Sequence, residues 1–181
     1  MSSLEEDLFG AKYQQPINQK QKGNRNELRV AKLLAEWAGH EFVRVPMSGG
    51  LRWKNTMNIC GDVVSTDPDF KFDYSVETKH LASLGLNSPT MRKNSVVLTH
   101  FKQASRDAAR SGKKPFLMLR DNGMPKDSYY IFLPVSWPQL VKFKQTICLQ
   151  FVSHDQTLIG IRSEVLFKKW TYEEFNAFYN E

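Results

Sequence analysis

Cysteine is almost missing from this chain. Two occur among 181 residues, Cys60 and Cys148, each inside an apolar run. Their spacing builds neither a disulfide framework nor a zinc motif, so both are expected to be buried thiols. The four histidines are scattered, with no His-x-x-x-His or Cys-x-x-Cys, which excludes a structural zinc from expectation. No apolar run approaches the roughly 20 residues of a membrane span. The segment Met1 to Lys12 is acidic and polar and lacks the parts of a signal peptide, so the expected setting is cytoplasmic or nucleoid-associated, not secreted. There is no P-loop and no dinucleotide fingerprint, so no nucleotide cofactor is expected. There are no repeats, and no long Ser/Gly linker marks off an independent domain.

What is present suits one globular domain with its own core: 41% hydrophobic and 24% charged residues. The net charge is +6, from 25 basic and 19 acidic residues, which favours a polyanionic partner. The basic residues cluster. Lys12, Lys20, Lys22, Arg25 and Arg29 gather at the first helix start; Arg44, Arg52 and Lys54 flank a glycine-containing loop; Lys102, Arg106, Arg110, Lys113 and Lys114 mark a later helix and its exit.

Residues 1–22 are polar and read as a flexible basic arm. Val30, Ala31, Leu34, Trp37 and Ala38 predict a helix over 24–38, ended by Gly39. Strands are expected over 41–45, 59–65 and 71–79, with Asp67-Pro68-Asp69-Phe70 as a hairpin turn between the last two. Residues 46–58 form a loop with Ser48, Gly49 and Gly50 at its tip and Trp53 as an exposed stacking candidate; residues 81–94 form another loop. Phe101, Ala104 and Ala108 mark a helix over 99–111, and strands follow over 115–120 and 129–135 around Asn122-Gly123. Ser136-Trp137-Pro138-Gln139 and Thr171-Tyr172-Glu173-Glu174 are capping-box patterns. Strands over 147–152 and 157–161 turn at His154-Asp155. The expected fold is α/β, a central mixed sheet flanked by helices. Its core is placed at 23–135, with an additional C-terminal α+β extension, 136–181, packed on that core or on a dimer partner.

The chemistry rests on acids. A hairpin about 67–70 sets Asp62 roughly opposite Glu77. The two-residue period puts Ser75, Glu77 and Lys79 on one face of the third strand and Tyr74, Val76 and Thr78 on the other. Glu27, four residues before Ala31, points towards the buried face of the first helix. Its helix start favours a negative charge, and a bound cation would favour it more. Carboxylates holding a divalent ion beside a lysine can hydrolyse a phosphodiester. The ion polarises a non-bridging oxygen, lowers the pKa of a bound water and neutralises the leaving oxygen. Magnesium takes oxygen ligands, so Asp62, Glu77 and the Thr78 main-chain carbonyl are the expected donors. Glu27 would bind directly, hold a metal-bound water or serve a second ion. Lys79 would orient the nucleophile, help deprotonate it, or neutralise the developing phosphorane; the sequence does not separate these roles. Taken singly, Glu77-Thr78-Lys79 is a weak signal that strands also show as an ordinary ion pair, Glu27 also reads as a capping or salt-bridge residue, and Ser48 as a loop cap. The set together points to a metal nuclease.

At this point the chain resembles the PD-(D/E)xK nuclease superfamily, most of all its archaeal-type Holliday-junction resolvases. Gly23-Asn24-Arg25-Asn26-Glu27-Leu28 looks like the family's first-helix motif. Phe42-Val43-Arg44-Val45-Pro46-Met47-Ser48-Gly49-Gly50 resembles the strand and loop carrying its arginine and serine. Gly61-Asp62 stands where the family commonly has Pro-Asp, with glycine the looser residue. Val76-Glu77-Thr78-Lys79 looks like its Glu-x-Lys strand, and Phe101-Lys102-Gln103 is similar to a helix with a glutamine near the active site. The resemblance spans 23 to about 135. It implies a restriction-endonuclease-like fold and DNA hydrolysis with Mg2+, for which Mn2+ substitutes. Glu27, Asp62, Glu77, Lys79, Ser48 and Gln103 are the implied catalytic residues. It also implies a homodimer making paired nicks in four-way junctions during recombination and repair. Arg25, Arg29, Arg44, Arg52, Lys54, Lys102, Arg106 and Arg110 are the candidates for DNA contacts. Three other readings stay open: a nuclease of the same fold that trims ends or cuts duplexes, a noncatalytic nucleic-acid-binding module, and a structural factor.

Overall fold

The computed structural model describes residues 18–45, 60–86, 96–152 and 156–181. Helix α1 (Gln19–Ala38) opens before the expected residue 24, because the Asn18 side chain accepts from the Lys20 amide and caps it. Gly39, at φ 71°, closes it. There follow β1 (Phe42–Arg44), β2 (Val63–Ser65), β3 (Tyr74–Leu81), α2 (Val96–Arg110), β4 (Lys114–Asp121) and β5 (Tyr130–Val135). The chain continues through α3 (Trp137–Phe143), β6 (Leu149–Val152), β7 (Thr157–Arg162), α4 (Ser163–Lys169) and α5 (Tyr172–Asn180). Both capping boxes expected from the sequence form, at Ser136 and Thr171.

The strands make one seven-stranded sheet in the order β1-β2-β3-β4-β5-β7-β6. The β3–β4 pair is parallel and is linked through α2, while the other pairs are antiparallel. Residues alternate across the sheet. Phe116 and Met118 of β4 join α1 residues Val30, Leu34 and Trp37 in one core; Leu117 and Leu119 join α2 residues Val97, Phe101 and Ala104 in the other. Covering both faces explains why β3 to β5 read as nearly continuous apolar runs. This is a restriction-endonuclease-like arrangement, a mixed sheet flanked by helices.

The segment 136–181 packs on the core and shares its sheet. β7 pairs with β5 from Tyr130↔Arg162 to Val135↔Thr157. Tyr172, Phe175 and Tyr179 of α5 sit among Trp37, Tyr74 and Phe116, and the Trp37 indole donates to the Trp170 carbonyl at 2.8 Å. The cysteine expectation needs correcting. Cys148 is exposed just before the edge strand β6, and Cys60 is half-buried with its sulfur 2.6 Å from the Ser111 hydroxyl. Trp137 is 76% exposed, whereas Trp37 is buried and Trp170 packs among aromatic rings. Ser48, Arg52, Trp53, Lys54 and the His154-Asp155 turn lie outside the described residues. No described helix is long and apolar enough to cross a membrane.

Phe175 is fully buried and stacks on Tyr179. Phe175→Ala should cost about 3–5 kcal/mol in urea unfolding and shift the whole transition. A separate early transition, leaving the rest of the molecule intact, would show that α5 is an appendage.

Candidate active site

A turn, a glycine and a strand edge position the acids. The Asp67 side chain accepts from the Asp69 amide at 2.9 Å, setting the turn before β3. Val63 pairs with Val76, and continuing that antiparallel register by one residue sets Asp62 opposite Glu77. Among the described residues β2 starts at Val63, after a bend at Gly61 and Asp62; position 59 of the expected strand lies outside the described residues. Gly61 has φ +89°, and a Cβ there would sit 2.5 Å from the Val76 carbonyl oxygen. Proline, confined to φ near −65°, cannot occupy this crossing, and glycine here is tightly held, not loose. The close approach lets the Asp62 amide donate to the Val76 carbonyl at 2.7 Å, while the Asp62 carbonyl accepts from Val45 at 2.9 Å.

Four residues singled out in the sequence meet at this edge. Asp62 and Glu77 are each 4% exposed. The Thr78 amide donates to Asp62 Oδ2 at 2.9 Å. Lys79 Nζ lies 2.7 Å from Glu77 Oε1 and 3.6 Å from Asp62 Oδ2. Gln103, on α2, donates to Glu77 Oε1 at 2.9 Å. Burial, and then the charge of Asp62, push Glu77 up to about 7 against the pull of Lys79. Burial draws the Lys79 pKa down, but Asp62 and Glu77 outweigh it and hold the amine above its ordinary value.

Glu27 sits apart from that cluster. Arg44 of β1 donates to its carboxylate at 2.9 Å and to Asn24 at 3.0 Å. The α1 side chain that enters the interior is Asn26, 3% exposed. It donates to the Thr78 hydroxyl at 2.8 Å and accepts from the Tyr129 hydroxyl at 2.9 Å; the Thr78 hydroxyl donates to the Met118 carbonyl at 3.0 Å. This network ties the residue between Glu77 and Lys79 to α1, to β4 and to Tyr129 just before β5. The sequence reading passed over Asn26, although it lies four residues before Val30 on the buried stripe. It also passed over His100, three residues before Gln103 on α2. Burial and then the Lys79 charge lower the His100 pKa, and its Nδ1 has no partner. Of the candidate DNA contacts, Arg29 is paired with Asp127 at 2.7 Å, Arg110 with Asp107, and Arg44 with Glu27. Arg25, Lys102 and Arg106 are exposed.

Comparison with known proteins bears on the family of the chain. Residues 18–181 match the model of a family described as phage putative PDDEXK endonuclease. The chain belongs to that family. No curated protein and no solved structure matches the chain. The match runs to the last residue, so in this PDDEXK protein the C-terminal strands and helices lie within the family's extent.

PDDEXK nucleases typically use divalent metals, and the donor chemistry at the strand edge fits a hard cation. Asp62 and Glu77 are buried oxygen donors whose mutual repulsion a cation would relieve. In a strand a residue's N–H and C=O lie on one side. The Thr78 amide faces Asp62, so its carbonyl opens towards the same edge. Among the described residues no three acid, histidine or cysteine side chains converge on one point. The fit is therefore that of an ion held by one or two carboxylates with water and substrate oxygens, as magnesium is.

Two outcomes follow. Gly61→Ala should displace Asp62 from Thr78, lower the melting temperature and reduce DNA cleavage at least about 100-fold; a fully active alanine variant would contradict the close crossing. The second outcome concerns metal-free protein in chelator. Glu77 binds its proton more tightly folded, at about 7, than at the ordinary 4.5. Its contribution to stability is then full below 4.5 and lost as pH rises through 7. In urea unfolding, Glu77→Gln should gain on the parent protein across that window. A gap that stays constant with pH would contradict it.

Proposed function

We propose that the protein is a Mg2+- or Mn2+-dependent endodeoxyribonuclease. We further propose that its preferred substrate is branched DNA, above all the four-way junction, which a homodimer with one site per subunit opens by paired nicks. The observation that carries the hydrolytic reading is the buried Asp62–Glu77 pair, with the Lys79 amine 2.7 Å from one acid and 3.6 Å from the other. A divalent ion bound there would supply a Lewis acid and a water of lowered pKa. Asp62, Glu77 and the Thr78 carbonyl are the groups to hold it. Gln103 fixes the Glu77 oxygen. Of the three roles open to Lys79, proton abstraction fits worst, because its neighbours keep it charged. A charged Lys79 orients the attacking water by hydrogen bonding or neutralises charge growing on the phosphate. Glu27 acts one step removed, by holding Arg44 at the β1 edge.

The exposed Arg25, Lys102 and Arg106 are the available phosphate contacts, with Ser48, Arg52 and Lys54 proposed on sequence alone. The junction preference is supported by the resemblance of residues 23–135 to junction resolvases. It would rest on backbone contacts and DNA shape, and a two-fold assembly suits a nearly two-fold substrate.

The test compares four-way junctions, flaps and linear duplex with Mg2+ and Mn2+. Asp62→Asn, Glu77→Gln and Lys79→Ala should each lower cutting at least about 100-fold with junction binding largely kept. Cutting that survives all three substitutions would remove the enzyme reading. Linear duplex cut as well as junctions would remove the resolvase reading alone.

A further inference from the structure

On the opposite face of β3 from Glu77 and Lys79 lies a second charged group that the cleavage site does not use. His80 and Arg120 are direct partners on the parallel strands β3 and β4. Arg120 is 5% exposed. Its Nη2 donates to the Met124 carbonyl at 3.2 Å, and its guanidinium carbon lies 5.6 Å from the Tyr129 ring centre. Its Nε and Nη1 are buried without a partner, and so is Nε2 of the neighbouring His80. Among the described residues no salt bridge joins a carboxylate to Arg120, and its other polar neighbour is the Tyr129 hydroxyl. Two more cations arrive from α1. Lys22 donates to Asn122 at 3.0 Å and Arg29 pairs with Asp127 at 2.7 Å; both act on the charge of His80.

Burying a guanidinium without a counter-charge is costly, and native interiors rarely keep such donors unmatched. A guanidinium with N–H donors left over on Nε and Nη1, flanked by an imidazole and an ammonium, suits an oxyanion. We propose that Arg120, His80 and Lys22 form a phosphate-binding site for the DNA backbone, flanking the bond that is cut. His80 directly follows Lys79, so a strand crossing this end of the sheet meets both faces of β3. The site deepens the endonuclease reading and rests on it for its substrate. It would fix the register of the substrate strand without reading bases.

The test uses the full chain in chelator, so that no cutting is needed. Inorganic phosphate should raise the melting temperature of the parent protein above a chloride control of equal ionic strength. The shift should vanish in Arg120→Met and shrink in Lys22→Gln, a variant at a solvent-accessible position that keeps the test alive if Arg120→Met misfolds. Each variant should bind junction DNA about tenfold more weakly, with the dependence of log K on log salt reduced by about one. No phosphate-specific stabilisation of the parent, or unchanged DNA affinity in both variants, would overturn the site. A phosphate shift with unchanged DNA affinity, or binding that depends on a 5′-phosphorylated end, would assign it to free or terminal phosphate and overturn the backbone assignment. A parent protein that cuts nothing with any metal would sink the endonuclease reading and leave these readouts standing.

Discussion

The crossing of Gly61 over the β3 backbone carries the rest of the site, because it sets Asp62 against the strand that bears Glu77. With φ at +89° and no Cβ, the chain comes close enough for the Asp62 amide to reach the Val76 carbonyl and for the Thr78 amide to reach the Asp62 carboxylate. Two acids are thereby buried side by side. Burial and mutual repulsion make the Glu77 carboxylate reluctant to ionise, and Lys79 only partly offsets them. A hard cation at this edge would change the balance, which is why the same contact that strains the electrostatics also fits a metal-dependent hydrolase.

The scaffold makes this arrangement rigid. Thr78, between the acid and the lysine, is bonded through its amide to Asp62 and through its hydroxyl to Asn26 and Met118. The strand cannot rotate without breaking bonds to α1 and β4. The C-terminal segment reinforces it from behind, since Tyr172, Phe175 and Tyr179 cover the face of β3 and β4 that carries Tyr74 and Phe116. Charged Lys79 and the proposed phosphate contacts at Arg120 then occupy opposite faces of one strand end.

Much of this was legible in the sequence because it follows from local periodicity. The hairpin turn at Asp67 and the alternation of β3 placed Asp62, Glu77 and Lys79 near one another, and the resemblance to PD-(D/E)xK nucleases added Gln103. Other features depend on contacts far apart in the chain. Helical spacing aimed Glu27 inward, but it could not show that Arg44 would hold it at the rim or that Asn26 would take the interior position. The resemblance ended near residue 135 and left 136–181 as an extension, and long-range pairing of β7 with β5 places that segment in the same sheet. An apolar neighbourhood suggested a buried Cys148, yet its place beside an edge strand leaves it exposed.

The most direct measurement is calorimetric titration of Mn2+ and Mg2+ into the protein, alone and with uncleaved junction DNA. The account predicts saturable uptake, stronger with DNA, that is lost in Asp62→Asn and Glu77→Gln but kept in Lys79→Ala. Absence of uptake even with DNA, or uptake unaffected by removing both carboxylates, would contradict it.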